Sequence, residues 1–219
     1  MKRSSIYGIA LIFGSLGMVV TMLFHPTGHD LLAQADQLAR RNEMIAVVTH
    51  SLALASIPVL FFGFLGLSKR LGWDHALVPA ALVAYGFGAV AAMCAAVFSG
   101  LVAPVLTRQM LTADDSTQQV LDAVFHHNGL LNQGFAKVFV VASSLAIVFW
   151  SVSILRIGSF ARAAGLVGCF VGLVGLAGIL SGHLRLDVHG FALFIFAQSV
   201  WTILIGVLLC RPGDSLEAA

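Results

Sequence analysis

A chain of 219 residues that is 59% hydrophobic and only 10% charged has too little polar surface to cover a water-exposed globule, since soluble domains carry about 25% charged residues. Its mean hydropathy of +0.96 makes the lipid bilayer its first partner. A net charge of +2 with no basic tract offers nothing to a nucleic-acid partner.

A hydrocarbon core about 30 Å thick needs about 20 apolar residues of helix, and six stretches meet that length. The first, Ile6–Phe24, follows "MKR". It is longer than the apolar part of a secretory signal, and no small-residue cleavage site follows before His25, so it reads as a retained helix. After it, "HPTGH" sets His25 and His29 around a turn enforced by Pro26 and Gly28. Asp30 to Glu43, "DLLAQADQLARRNE", reads as a short amphipathic helix on the membrane surface. Asp30 suits its N-cap, and Asp36 and Arg40 have the spacing of an ion pair.

The second span is Met44–Leu67, with His50 near one end and Glu43, seven residues earlier, on the same helical face. Lys69, Arg70 and His75 follow its other end. The third, Leu77–Val102, has a narrow face of Ala84, Gly88, Ala91, Ala95 and Ser99. A polar connection over Thr107–Gln119 leads to the fourth span, Phe135–Leu155. If that helix runs on through Gly129 and Gly134, then Asp122, His126, Gln133, Lys137 and Ser144 fall within about 60° of one another. Polar groups facing lipid are costly, so this stripe is expected to turn inward. The fifth span, Ala163–Leu180, carries glycines at 165, 168, 172, 175, 178 and 182. They suit close backbone packing, room for a flat macrocycle, or contact with a second copy of the chain.

The fifth and sixth spans are joined by "SGHLRLDVHG". There His183, Arg185, Asp187 and His189 alternate with Leu184, Leu186 and Val188. The sixth span, Phe191–Leu209, carries Gln198 and Thr202 at i, i+4. Cys94, Cys169 and Cys210 lie in apolar runs or at a helix end and read as small buried hydrophobes. The fold class expected is all-α: one domain over residues 1–219, a bundle of six transmembrane helices with an interfacial segment at about 30–43.

Orientation follows from the basic residues. Lys2, Arg3, Lys69, Arg70, Arg156, Arg162 and Arg211 fall on one side, against Arg40, Arg41, Arg108 and Arg185 on the other. Both termini are therefore expected in the cytoplasm, with the protein in the inner membrane. This topology puts every histidine except His75 on the non-cytoplasmic side. Neutral imidazole is the commonest biological ligand for zinc, copper and haem iron. The residues expected to gather at that boundary are His50, His126, His183 and His189. Glu43, Asp122 and Asp187 are expected to ligate or to orient the ligands.

The cofactor expected is a transition metal (copper, zinc or iron) or haem b, with Arg185 beside it. Lys137 and Gln133 would then meet a small-molecule substrate or ion in a redox or metal-dependent enzyme. A transporter and a structural subunit are the alternatives. No HExxH, zinc-finger or CxxCH pattern occurs in the chain.

Overall fold

The structure, a computed structural model, describes residues 3–25, 36–156 and 159–211. It is an all-α bundle with six helices long and apolar enough to cross a bilayer. Helix α1 is Arg3–Leu23, α2 Asp36–Leu71 and α3 Leu77–Val97. A π-helical turn over Phe98–Val102 then runs directly into α4, Ala103–Met110. Helix α5 is Asp115–Ile154, α6 Ser159–Leu180 and α7 Val188–Cys210.

The expected spans lie inside these helices to within a residue, the third continuing through the π-helical turn, but two helices are much longer than a span. At 1.5 Å per residue α2 and α5 reach about 54 and 60 Å, against a hydrocarbon core of about 30 Å. The excess is at their N-terminal ends, where α4 also packs against α5. The expected surface helix over 30–43 falls outside the described residues as far as residue 35, and the side chains of the Asp36–Arg40 pair lie outside what is described. From Asp36 on, the backbone forms the first turns of α2.

Local chemistry sets the ends. Gly72 and Gly182 adopt left-handed φ of 87° and 74° and stop α2 and α6, a backbone conformation that favours glycine. Asp114 and Asp187 cap α5 and α7, each accepting a backbone N–H at 2.8 Å, from Thr117 and Gly190 respectively.

Helix α1 packs against α2 and α7, α3 against α2 and α5, and α6 against α5 and α7. The glycine face of α6 is used inside the protomer. A Cβ on Gly172 would meet the Ser144 carbonyl, and one on Gly168 would strike the Ser151 hydroxyl and the Trp201 indole. Its opposite face, with Leu166, Phe170 and Leu173, is exposed and suits lipid. The surface expected to hold a second copy is therefore already occupied by α5 and α7. The narrow face of α3 likewise meets α5, where Gly88 lies against Ala142 and Ser143.

The N-terminal end of α1 lies with the C-terminal ends of α2 and α7. Lys69 Nζ reaches Tyr7 Oη at 3.4 Å, and Cys210 Sγ lies 3.6 Å from the Ser5 carbonyl. His25, His50, His126, His127, His183 and His189 belong to the opposite end, which we call the histidine end. His75 follows α2 at the first end, and His29 lies outside the described residues.

Candidate functional site

At the histidine end a cavity of about 370 Å³ opens between α1, α2, the α3–α4 helix, α5 and the start of α7. It is walled largely by small or apolar residues, among them Ala92, Ala95, Ala96 and Ala136. Polar or ionisable side chains interrupt that wall, among them His25, His50, Asn128, Asn132, Gln133 and Asp187.

His50, 4% exposed, lies about four turns into α2. Its Nδ1 is 2.7 Å from the Ala46 carbonyl one turn earlier. A carbonyl only accepts, so in the neutral ring Nδ1 carries the hydrogen and Nε2 the lone pair. The His25 ring, just beyond α1, meets it edge to face with centroids 4.7 Å apart and planes at 64°. The two imidazoles come from different segments, and the chain between them passes through residues 26–35.

The helix behind His50 is adapted to it. Gly100, in the π-helical turn, has no room for a side chain, because a Cβ there would fall on the Cβ and Cγ of His50. The turn also frees a carbonyl. Phe98 O accepts from the backbone of Ala103, five residues on, and from Asn128 Nδ2 at 3.1 Å. This fixes the Asn128 amide and leaves its Oδ1 buried on the cavity wall without a protein partner. An unsatisfied buried acceptor costs about 1–3 kcal/mol, which a bound ligand with a donor would relieve. Such π-turns inside α-helices recur at functional sites.

The link between α6 and α7 closes one side. Its alternation is real, but the facing is the reverse of that expected. Leu186 is buried and lines the cavity, whereas His183, Arg185 and His189 are exposed. Lying across the end of an apolar bundle, the link gains more by burying its leucines than its ionisable row. Gln133 Nε2 donates to the Leu186 carbonyl at 2.9 Å and holds the link down. Asp187 caps α7, its Oδ1 accepting from the Gly190 N–H.

The stripe on α5 is divided: Gln133 lines the cavity and Ser144 is buried, as expected, but the other three members are not turned inward. Asp122, His126 and Lys137 are exposed, while the wall is made by Phe125, Asn128, Gly129, Asn132 and Ala136. Asp122 and His126 precede the apolar span of α5, where a helix that stands in water pays no penalty for an outward polar stripe. Lys137 is one residue, about 100°, past the wall position Ala136. Glu43 and His50 do share a face of α2 turned to the α3–α4 helix. Glu43, however, pairs with Arg108 of α4 at 3.3 Å in an exposed position, worth at most about 1 kcal/mol.

Of the residues expected to form the site, His50, Gln133 and Asp187 reach the cavity, while Glu43, Asp122, His126, Lys137, His183, Arg185 and His189 do not line it. His50, His126, His183 and His189 are not drawn into one cluster. Among the described residues no three His, Cys, Asp or Glu side chains stand close enough to hold a metal ion. Sequence reasoning missed His25 as the partner of His50, and it missed Asn128 and Asn132. The signal for the asparagines was their own i, i+4 spacing. Below the cavity a void of about 10 Å³ lies beside Ser15, Gln198, Ser199 and Thr202, room for about one water.

Comparison with protein-family models, with curated proteins and with solved structures returns no match to this chain.

Proposed function

We propose that this membrane protein binds a transition-metal ion together with a small molecule in the cavity at its histidine end, as a metal-dependent membrane oxidoreductase. His25 and His50 are the metal ligands in this reading. Asn128 and Asn132 are the polar contacts for the small molecule, and Gln133 is a positioning residue that holds the link over the cavity. The distribution of basic residues argues that this end faces the non-cytoplasmic side of the inner membrane.

One observation carries the reading: two imidazoles, one just past the end of α1 and one within α2, meet edge to face inside a largely apolar cavity. A metal–nitrogen bond of about 2.0–2.1 Å, plus about 1.1 Å to the ring centre, puts each centroid about 3.2 Å from a shared ion. Two rings at a tetrahedral angle would then have centroids about 5.2 Å apart, and two rings on opposite faces of a haem about 6.4 Å. The observed 4.7 Å favours a single ion held by neighbouring ligands over a haem. A volume of about 370 Å³ exceeds the needs of a bare ion and falls within the range of small-ligand pockets, about 300–1,000 Å³. The single-water void beneath it favours a site closed below over a conduit through the bundle.

The test is elemental analysis of the full chain purified in detergent, beside its His25→Ala, His50→Ala, His126→Ala and His189→Ala variants. Stoichiometric metal is expected in the wild type and in the last two variants, and its loss in the first two. Metal retained by His50→Ala, or lost equally on replacing His126, would overturn the assignment.

A further inference from the structure

The cavity holds a second class of donor beside the imidazoles. Met18 and Met22 of α1, each 8% exposed, line the same cavity as His25 and His50. Met18, Met22 and His25, of which His25 lies two residues past the end of α1, stand at i, i+4 and i+7, the spacing of one helical face. The backbone N–H of His25 donates to the Met22 carbonyl at 3.5 Å, which continues the helical turn far enough to keep all three in line. Against them stands His50, whose Nε2 lone pair is fixed by the bond from Nδ1 to Ala46.

We infer that the ion is copper(I), held by His25 and His50 with the thioethers of Met18 and Met22. The inference rests on the metal-site reading above and deepens it by naming the ion and its remaining ligands.

Three properties of the site agree. Thioether sulfur is a soft donor that selects copper(I), whereas calcium, magnesium and manganese want carboxylate, carbonyl and water. Among the described residues the only carboxylate on the wall, Asp187, is already engaged as the cap of α7. Charge points the same way. Two neutral imidazoles and two thioethers contribute no charge, so the bound ion keeps its own. Desolvation cost rises with the square of charge, so a dication would cost about four times as much as a monocation in this apolar surround. Geometry completes the case, because the ring spacing fits adjacent positions of a tetrahedron, and a d¹⁰ ion imposes no other shape. The bland role of Met18 and Met22, filling gaps in an apolar wall, predicts the same burial but no effect on metal affinity.

The experiment separates these roles and also separates failure of this inference from failure of the site. The full chain in detergent is titrated anaerobically with copper(I) against the chromophoric competitor bicinchoninate, and separately with zinc(II). The proteins are the wild type, Met18→Leu/Met22→Leu, Met44→Leu/Met93→Leu and His50→Ala. Leucine nearly conserves methionine's volume and is well tolerated in cores. The Met18→Leu/Met22→Leu protein is expected to lose at least about tenfold in copper(I) affinity, the loss that even indirect ligand partners cause, with zinc(II) affinity unchanged. The Met44→Leu/Met93→Leu protein should match the wild type, and His50→Ala should lose both metals. Wild-type copper(I) affinity in Met18→Leu/Met22→Leu, with loss in His50→Ala, would sink the thioether assignment and leave the histidine site standing. No binding of either metal by the wild type would sink both. X-ray absorption at the copper edge of the loaded wild type needs no variant: sulfur in the first shell is expected, and nitrogen or oxygen alone would overturn the inference.

Discussion

The two ends of this bundle are built from the same helices and have opposite interiors. Towards the end that carries Lys69 and Arg70, Phe64 stacks on Trp150 with centroids 4.5 Å apart, and Tyr85 tilts against Phe64 at the same distance. Trp150 Nε1 donates to Ser68 Oγ at 3.0 Å, and Trp201 Nε1 to the Ala164 carbonyl at 3.1 Å. About 21 Å further along α2, the positions facing the axis are alanines and the imidazole of His50, and the interior is hollow. One end therefore fixes the helices relative to one another, and the other is free to keep space. A membrane bundle gains little from hiding apolar groups that lipid would solvate equally well, and is held by packing and interhelical hydrogen bonds. The closed end is where both are densest.

The sharpest way to break that contrast is to change size at each end in the opposite sense. Trp150→Ala removes a fully buried indole and is expected to cost about 3–5 kcal/mol, read as a fall in the denaturant midpoint of the purified protein. Ala96→Leu adds atoms to the cavity wall and should leave that midpoint where it is while displacing whatever the cavity binds. If Ala96→Leu is as costly as Trp150→Ala, the histidine end is already filled and the contrast fails.

The same contrast explains what the sequence disclosed. The six spans were legible because hydropathy is a property of a run of residues and needs no partner. The length of α5 was not, because its turns before Phe135 are polar. Nothing in hydropathy distinguishes a helix in water from a loop, although Asp114 ahead of Ser116 and Thr117 is a capping pattern. The facing of α5 failed for a related reason. A polar stripe is driven inward only where lipid surrounds the helix, and Asp122 and His126 precede the apolar span. His50 was found because its depth could be counted from Lys69 and Arg70. Its partner His25 was not, since pairing depends on how α1 leans on α2. The π-helical turn at Phe98–Val102 was equally hidden, because it changes helical phase without a residue type that announces it.

Gly100 gives a smaller and more local test of the hollow end. Gly100→Ala would drive a methyl group into the His50 ring, so either the ring or the α3–α4 helix must move. Overpacking of this kind costs about 1–3 kcal/mol, and metal retention should fall with it. Gly134, in the interior of α5, is open: a methyl group there would meet nothing within 4 Å. Gly134→Ala should instead gain about 0.5–1 kcal/mol from better helix propensity. Equal effects from the two substitutions would mean that Gly100 is an ordinary helix position and that His50 is not held against it.

The smallest expected effect lies at the tip of the histidine end, where α5 projects furthest. Asp114 is exposed, and its carboxyl is held below the usual range chiefly by the backbone N–H of Thr117, then by the hydroxyls of Thr117 and Ser116. A carboxyl lowered in the folded state contributes stability that is fully present above its unfolded value of about 3.9 and is lost as pH falls through the lowered folded value. Amide exchange at Thr117 and Gln118 should therefore keep its protection, relative to the intrinsic rate, from neutral pH to the usual carboxylate range and lose it only in stronger acid. In Asp114→Ala that protection should be weak at every pH, with the denaturant midpoint unchanged, because the closed end of the bundle does not depend on this turn. A shift of the midpoint would show that the projecting part of α5 is coupled to the aromatic core, and that the two ends do not behave as separate regions.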